Sequence, residues 1–190
     1  LLCFLALRLR RPVRMVMTLE ESFQAVRRTS AKVHIRTGVK RDGALVFEDI
    51  VSNFLVGAYA DIADRVVSKG NYLAAGPYMV PAVRIIARGV LSNTPPATAM
   101  RGFGVPETAW AREMNLDDCA LALGLDRLEI RMRNLAHYQD EFVPGDTRAD
   151  GRWEQTVQRA AELIDWGKPL PPHCGRGLAV AAKSGPTTGL

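Results

Sequence analysis

The chain has 190 residues, 47% hydrophobic and 24% charged, which excludes a disordered or collagen-like polymer and suits one domain of ordinary to large size, or two small ones. A compact chain of this length buries about 70% of its unfolded surface and needs no disulfide or metal staple. Lys+Arg of 25 against Asp+Glu of 20 gives a net charge of +5, and 20 of those cations are Arg, the forked cation suited to carboxylates and phosphates; an Arg-heavy genome composition would give the same bias.

The apolar run Leu1–Leu7 is too short to span a bilayer and reads as the last turns of a buried helix, ended by Pro12. Val13–Thr18 alternates like a strand. Thr18 with Glu20 and Glu21 predicts a capped helix running to Val26. Lys32–Val39 and Ala44–Val56 flank Asp42-Gly43 and predict a β-hairpin. Asp61–Ala75 is weakly helical, with Gly70 as a break and Gly76-Pro77 as its close. Ala82–Leu91 reads as a strand, and Ser92–Gly104, with two prolines and two glycines, as irregular. Pro106 fits the first position of a helix that runs to Ala122 and stops at Gly124.

Asp126 opens a further helix to Asn134, whose arginines from Arg127 to Arg133 read as a solvated face. A polar loop leads to a last helix, Trp153–Trp166, and the apolar run Leu178–Ala182 predicts a strand before Gly185–Leu190. Without a regular βαβ rhythm the pattern is that of an α+β fold. Both ends read as cut, so residues 1–190 read as a piece of something longer. Cys3, Cys119 and Cys174 are odd in number and far apart, a poor disulfide framework that points to a reducing, cytoplasmic compartment. No C-x-x-C or H-x-x-x-H pair exists, which argues against a structural zinc site.

The chemistry-bearing stretch is Asn93–Glu107: a strand end, a stiff loop and a helix start. Gly102 and Gly104 let backbone amides approach a ligand closely, the helix start adds unpaired N–H groups, and Arg101 adds a charge, a pattern that suits an anion; by spacing alone it equally suits a merely tight connection. The segment Met100-Arg101-Gly102-Phe103-Gly104-Val105-Pro106 resembles the R-G-F-G-x-P-Q loop of the molybdenum hydroxylases, the xanthine dehydrogenase and aldehyde oxidase family. Arg11-Pro12-Val13-Arg14 is similar to that family's G-R-P-V-R, with Arg10 where glycine is usual. Gly57-Ala58-Tyr59, Gly76-Pro77-Tyr78, Val80-Pro81 and Pro95-Pro96 follow in the family's order. Leu123-Gly124-Leu125-Asp126 with Glu129, Arg131 and Asn134-Leu135 then resembles L-G-x-D-P-x-E-x-R-x-x-N-L, Arg127 replacing the proline.

The resemblance implies a partial molybdopterin-binding domain over residues 1–190, from a catalytic subunit that hydroxylates an aldehyde or aromatic N-heterocycle with water as oxygen source. It implies a molybdopterin-type molybdenum cofactor, with iron–sulfur clusters and often FAD on partner domains or subunits. By position, Arg101 and Gly102 would hold the cofactor and Phe103 would stack on a planar small-molecule substrate. Arg28 would stabilise negative charge developing on substrate, although the family's R-H-P is here Arg28-Thr29-Ser30 and Arg27 could take that register. Glu107 reads as a helix-start carboxylate and Glu113 as a partner within the fold. The family's G-G-F-G-G-K segment would precede Leu1 and its catalytic glutamate would follow Leu190, so this chain alone is expected neither to retain molybdopterin nor to turn over. The alternatives are a catalytically dead remnant or interaction module, and a basic nucleic-acid binder, for which no recognised motif is present.

Overall fold

The computed structural model describes residues 1–141, 143–146 and 148–183; the terminal stretch Gly185–Leu190 lies outside the described residues. Its elements are α1 (Leu2–Leu9), α2 (Leu19–Ala25), β1 (Arg27–Arg28), β2 (Ser30–Val39), β3 (Leu45–Gly57), α3 (Ala63–Tyr72), β4 (Ala82–Leu91), β5 (Ala97–Thr98), α4 (Val105–Leu123), α5 (Arg127–Asn134) and α6 (Trp153–Leu163). The α+β expectation holds.

A three-stranded mixed sheet, ordered β2-β3-β4, forms the frame. The hairpin forms as expected, with β2 antiparallel to β3. The turn closes through Gly43, whose φ of 88° only glycine adopts without strain. β4 returns parallel to β3 through α3, a right-sized crossover for a parallel pair. On β3, Glu48, Ile50, Ser52, Phe54 and Val56 are buried, the period-two signature of a sheet with one covered face. On the other face Asp49 pairs with both of its register neighbours, Arg36 at 2.8 Å and Arg84 at 2.6 Å. Those two guanidinium groups lower the Asp49 carboxyl to about 2, through hydrogen bonds from Arg84 and then Arg36.

Two apolar clusters carry the core. One gathers Leu45, Tyr78, Leu116, Leu135 and Val157, the other Phe54, Val56, Ala63 and Val67. α4, about 28 Å long, starts at Gly104 and ends at Gly124, both left-handed. α2 carries a full capping box between Thr18 and Glu21, as its sequence predicts.

Several expectations are corrected. Val13–Thr18 forms no strand, because alternation alone supplies no hydrogen-bonding neighbour. Leu178–Ala182 likewise forms no strand; its backbone is held by side chains of α4 instead. α1 is a helix, yet none of its residues is buried among the described residues. Gly70 does not break α3: a Cβ there would lie 2.7 Å from the carbonyl carbon of Gly104, so the glycine permits backbone-to-backbone packing. The loop expected to be wholly irregular contains β5, which pairs in parallel with β1.

The face from Arg127 to Arg133 is only partly solvated, because Arg131 is fully buried. Its Nε donates to Glu113 at 2.8 Å and its Nη1 to Asp117 at 2.7 Å. Arg112, also buried, donates to Glu113 at 3.1 Å, so Glu113 pairs within the fold as expected. Tyr78 completes this cluster by donating its hydroxyl to Glu113 at 3.0 Å.

Candidate functional site

The site is built around the connection from β5 to α4. Arg27 and Arg28 are adjacent on β1 and aligned with Ala97 and Thr98, but their side chains do different work. Arg27 fastens the loop: its Nε donates to the Pro95 carbonyl at 3.1 Å, and its Nη2 to Thr94 Oγ1 at 2.9 Å and to the Leu55 carbonyl at 3.0 Å. Arg28 is half exposed, and its Nε donates to Glu107 Oε1 on the first turn of α4 at 2.7 Å. Of the two registers open to sequence reasoning, Arg27 is thus occupied by backbone, and Arg28 has its Nη nitrogens without a partner among the described residues.

The loop after β5 has three successive residues with positive φ: Gly102 at 102°, Phe103 at 55° and Gly104 at 88°. For phenylalanine that region is sparsely occupied and costs on the order of 1–3 kcal/mol. Surrounding structure enforces it. The Phe103 N–H donates to the Met100 carbonyl at 2.8 Å, and the Val105 N–H to the Gly102 carbonyl at 3.2 Å. A Cβ on Gly104 would lie 2.5 Å from the Val66 carbonyl oxygen, and one on Gly102 2.5 Å from Pro106 Cγ. Asp61 accepts from Thr98 and Gly70 accepts from Thr108, closing the connection against α3.

Arg101 is exposed, with no side-chain partner among the described residues. The N–H groups of Arg101, Gly102 and Gly104 likewise have no acceptor among them. A free guanidinium beside open backbone donors is the chemistry an anionic cofactor requires, so these residues fit a phosphorylated, oxo-bearing group. The structure therefore gathers Arg101, Gly102 and Phe103 on one loop, and sets Arg28 beside the helix which that loop begins.

Sequence reasoning missed the anchoring role of Arg27, the Arg28–Glu107 pair and Glu48. The β3 carboxyl of Glu48 is buried with neither oxygen hydrogen-bonded, and burial raises it to about 7 against the lowering pull of Arg112. A charged residue at an inward position of the alternating β3 pattern was the available signal.

The chain is similar to known proteins. Residues 1–135 match the family described as the molybdopterin cofactor-binding domain. The chain is 36% identical over 165 residues to the nicotinate dehydrogenase large molybdopterin subunit of Eubacterium barkeri, covering 84% of this chain and 39% of that one. It is 33% identical over 161 residues to the xanthine dehydrogenase molybdenum-binding subunit of Escherichia coli O157:H7, covering 83% of this chain and 21% of that subunit. Among solved structures, quinoline 2-oxidoreductase from Pseudomonas putida 86 superposes with a TM-score of 0.70 at 27% identity, over 86% of this chain and 22% of that one. The chain thus spans well under half the length of each of these relatives. A strained, donor-rich loop on a shared fold, with a family match over residues 1–135, has one reading: the chain belongs to the molybdopterin cofactor-binding domain family of the molybdenum hydroxylases.

Proposed function

We propose that this chain forms one wall of the cofactor and substrate site in the catalytic subunit of a molybdenum hydroxylase. The reaction is the oxidation of an aldehyde or aromatic N-heterocycle, with water as oxygen source. The observation that carries the reading is the loop Met100–Gly104, held at positive φ in three successive residues with Arg101 unpaired. When bound, the molybdenum–pterin group supplies two-electron redox chemistry and Lewis-acid activation of water.

This chain's residues do the positioning. Arg101 and Gly102 hold the cofactor through a guanidinium and open backbone donors. Phe103, locked in its backbone conformation, presents its ring to a planar substrate. Arg28 places a cation where negative charge develops on that substrate, the kind of preorganised electrostatic support that lowers a barrier. Electrons leave through iron–sulfur clusters, and in many such enzymes flavin, on partner domains or subunits. A cytoplasmic location is supported by the three free cysteines. Among the described residues, no helix is long and apolar enough to cross a membrane.

The test is a pair of variants in the holoenzyme. Arg101→Ala lowers molybdenum per subunit, measured by metal analysis. Phe103→Ala leaves molybdenum bound and weakens substrate binding by about 2- to 10-fold, the equivalent of 0.5–1.5 kcal/mol for an aromatic contact. Full molybdenum content in the first variant would remove the loop from the cofactor site, and wild-type kinetics in the second would remove Phe103 from substrate.

A further inference from the structure

The Arg28–Glu107 pair has features that charge neutralisation alone does not require. The contact is single: Glu107 Oε1 accepts from Arg28 Nε at 2.7 Å, while Oε2 is buried with no partner. Arginine and carboxylate usually meet in a fork of two bonds. Here the guanidinium is gripped by its inner nitrogen, and both Nη nitrogens of this cleft-lining residue have no partner among the described residues. The grip is rigid, because Glu107 sits on the first turn of the 19-residue α4 and Arg28 on β1, whose backbone pairs with β5. A carboxylate near a helix N-terminus is itself favoured there. The side-chain exposures differ sharply, 52% for Arg28 and 11% for Glu107. The carboxylate is thus largely shielded from solvent, although Glu107 lines the same cleft as Arg28.

The cleft at this pair has a volume of about 210 Å³ and apolar walls from Val33, Pro106 and Trp110. That is room for one six-membered ring, since a cavity of about 150 Å³ accepts benzene. Trp110 is largely exposed and offers a flat surface beside the guanidinium.

We infer that Glu107 sets the charge preference of the Arg28 cleft: it fixes the guanidinium by Nε, leaves the Nη edge to the ligand, and cancels the cation's pull on anions. The cleft then favours a neutral planar ring bearing a carbonyl or ring-nitrogen acceptor over the corresponding carboxylate. Glu107 is a positioning residue: it holds Arg28 and sets the charge of the cleft that both line. The inference rests on the reading that Arg28 faces substrate.

The test compares benzoate with its neutral isostere benzamide, binding to the holoenzyme by calorimetry. Glu107→Gln keeps an oxygen acceptor for Arg28 Nε and removes only the charge. It should shift the benzoate-to-benzamide affinity ratio about fivefold toward benzoate at low salt, the scale of one carboxylate–carboxylate repulsion across about 4 Å at the dielectric of bulk water. The shift should shrink at about 1 M salt, where the Debye length is about 3 Å. Glu107→Asp keeps the charge but shortens the reach, so both probes should weaken with little change in their ratio. An unchanged ratio in Glu107→Gln, with Arg28→Gln weakening both probes, overturns the inference and leaves Arg28 at the ligand. If Arg28→Gln leaves both probes unaffected, the substrate-facing reading of Arg28 itself fails.

Discussion

Glu48 offers a direct test of how this fold carries a charge in its interior. It faces α4 from the middle of the sheet, opposite Thr37 on β2 and Val83 on β4, with the charges of Arg112 and Glu113 acting on it from α4. Neither carboxyl oxygen has a hydrogen-bond partner, and burial raises the group from 4.5 to about 7. The folded protein therefore keeps the Glu48 proton over a pH range in which the unfolded chain has released it. Stability from this group is fully present below the unfolded value, falls as pH rises from 4.5 to about 7, and is level above that. At 1.36 kcal/mol for each pKa unit, the loss is on the order of 3 kcal/mol. Glu48→Gln cannot titrate. Its stability relative to the wild type should therefore improve by about 3 kcal/mol between pH 4.5 and pH 8, whatever constant cost the amide adds. Thermal melts of both proteins across that range measure the change, with a relative shift of about 6–12 °C for a protein of this size. Parallel pH curves for the two proteins would refute the reasoning, since they would mean that Glu48 is as well solvated folded as unfolded.

Other outcomes follow from the same packing. Arg131→Ala should destabilise by about 3–5 kcal/mol, because it removes the buried cation that Glu113 and Asp117 share, leaving Arg112 for the one and the longer Arg127 contact for the other, and opens a void between α4 and α5; a loss below about 1 kcal/mol in chemical denaturation would show that water replaces the guanidinium freely. Gly70→Ala should push the start of α4 away from α3, since the added Cβ meets Gly104 backbone at 2.7 Å. The expected result is about 1–3 kcal/mol of lost stability together with reduced molybdenum retention in the holoenzyme. Wild-type melting and metal content in that variant would mean the two elements separate without consequence to the loop.

What was legible along the chain was local. The β2–β3 hairpin, the capping box of α2, the span of β4 and the stop of α4 at Gly124 each depend on residues within a few positions of one another. For such elements, turn glycines, caps and side-chain periodicity are sufficient instructions. Val13–Thr18 carried the alternation of a strand and Leu178–Ala182 the apolar run of one, yet neither pairs with a strand among the described residues, because a strand also needs a neighbour's backbone, which neither pattern specifies. Gly70 read as a breaker for a related reason: glycine's cost in a helix is local, while its benefit here, contact with Gly104, comes from a residue 34 positions away.

The site divides along the same line. The irregular connection and helix start around Arg101, Gly102 and Phe103 are written in consecutive residues, and the ordered motifs about them carry the resemblance to the molybdenum hydroxylases. Only the tertiary structure separated Arg27 from Arg28. Two identical side chains in adjacent positions differ solely in what lies opposite: for one, the backbone of residues 55 and 95, and for the other, a carboxylate 79 positions along the chain. Likewise Arg131 looked like its exposed neighbours on α5 until packing against α4 placed Glu113 and Asp117 around it. Charge is a property of the residue. Whether that charge is solvated, paired or left waiting for a ligand is a property of the fold, because desolvation and ion pairing depend on distances that only the folded chain sets.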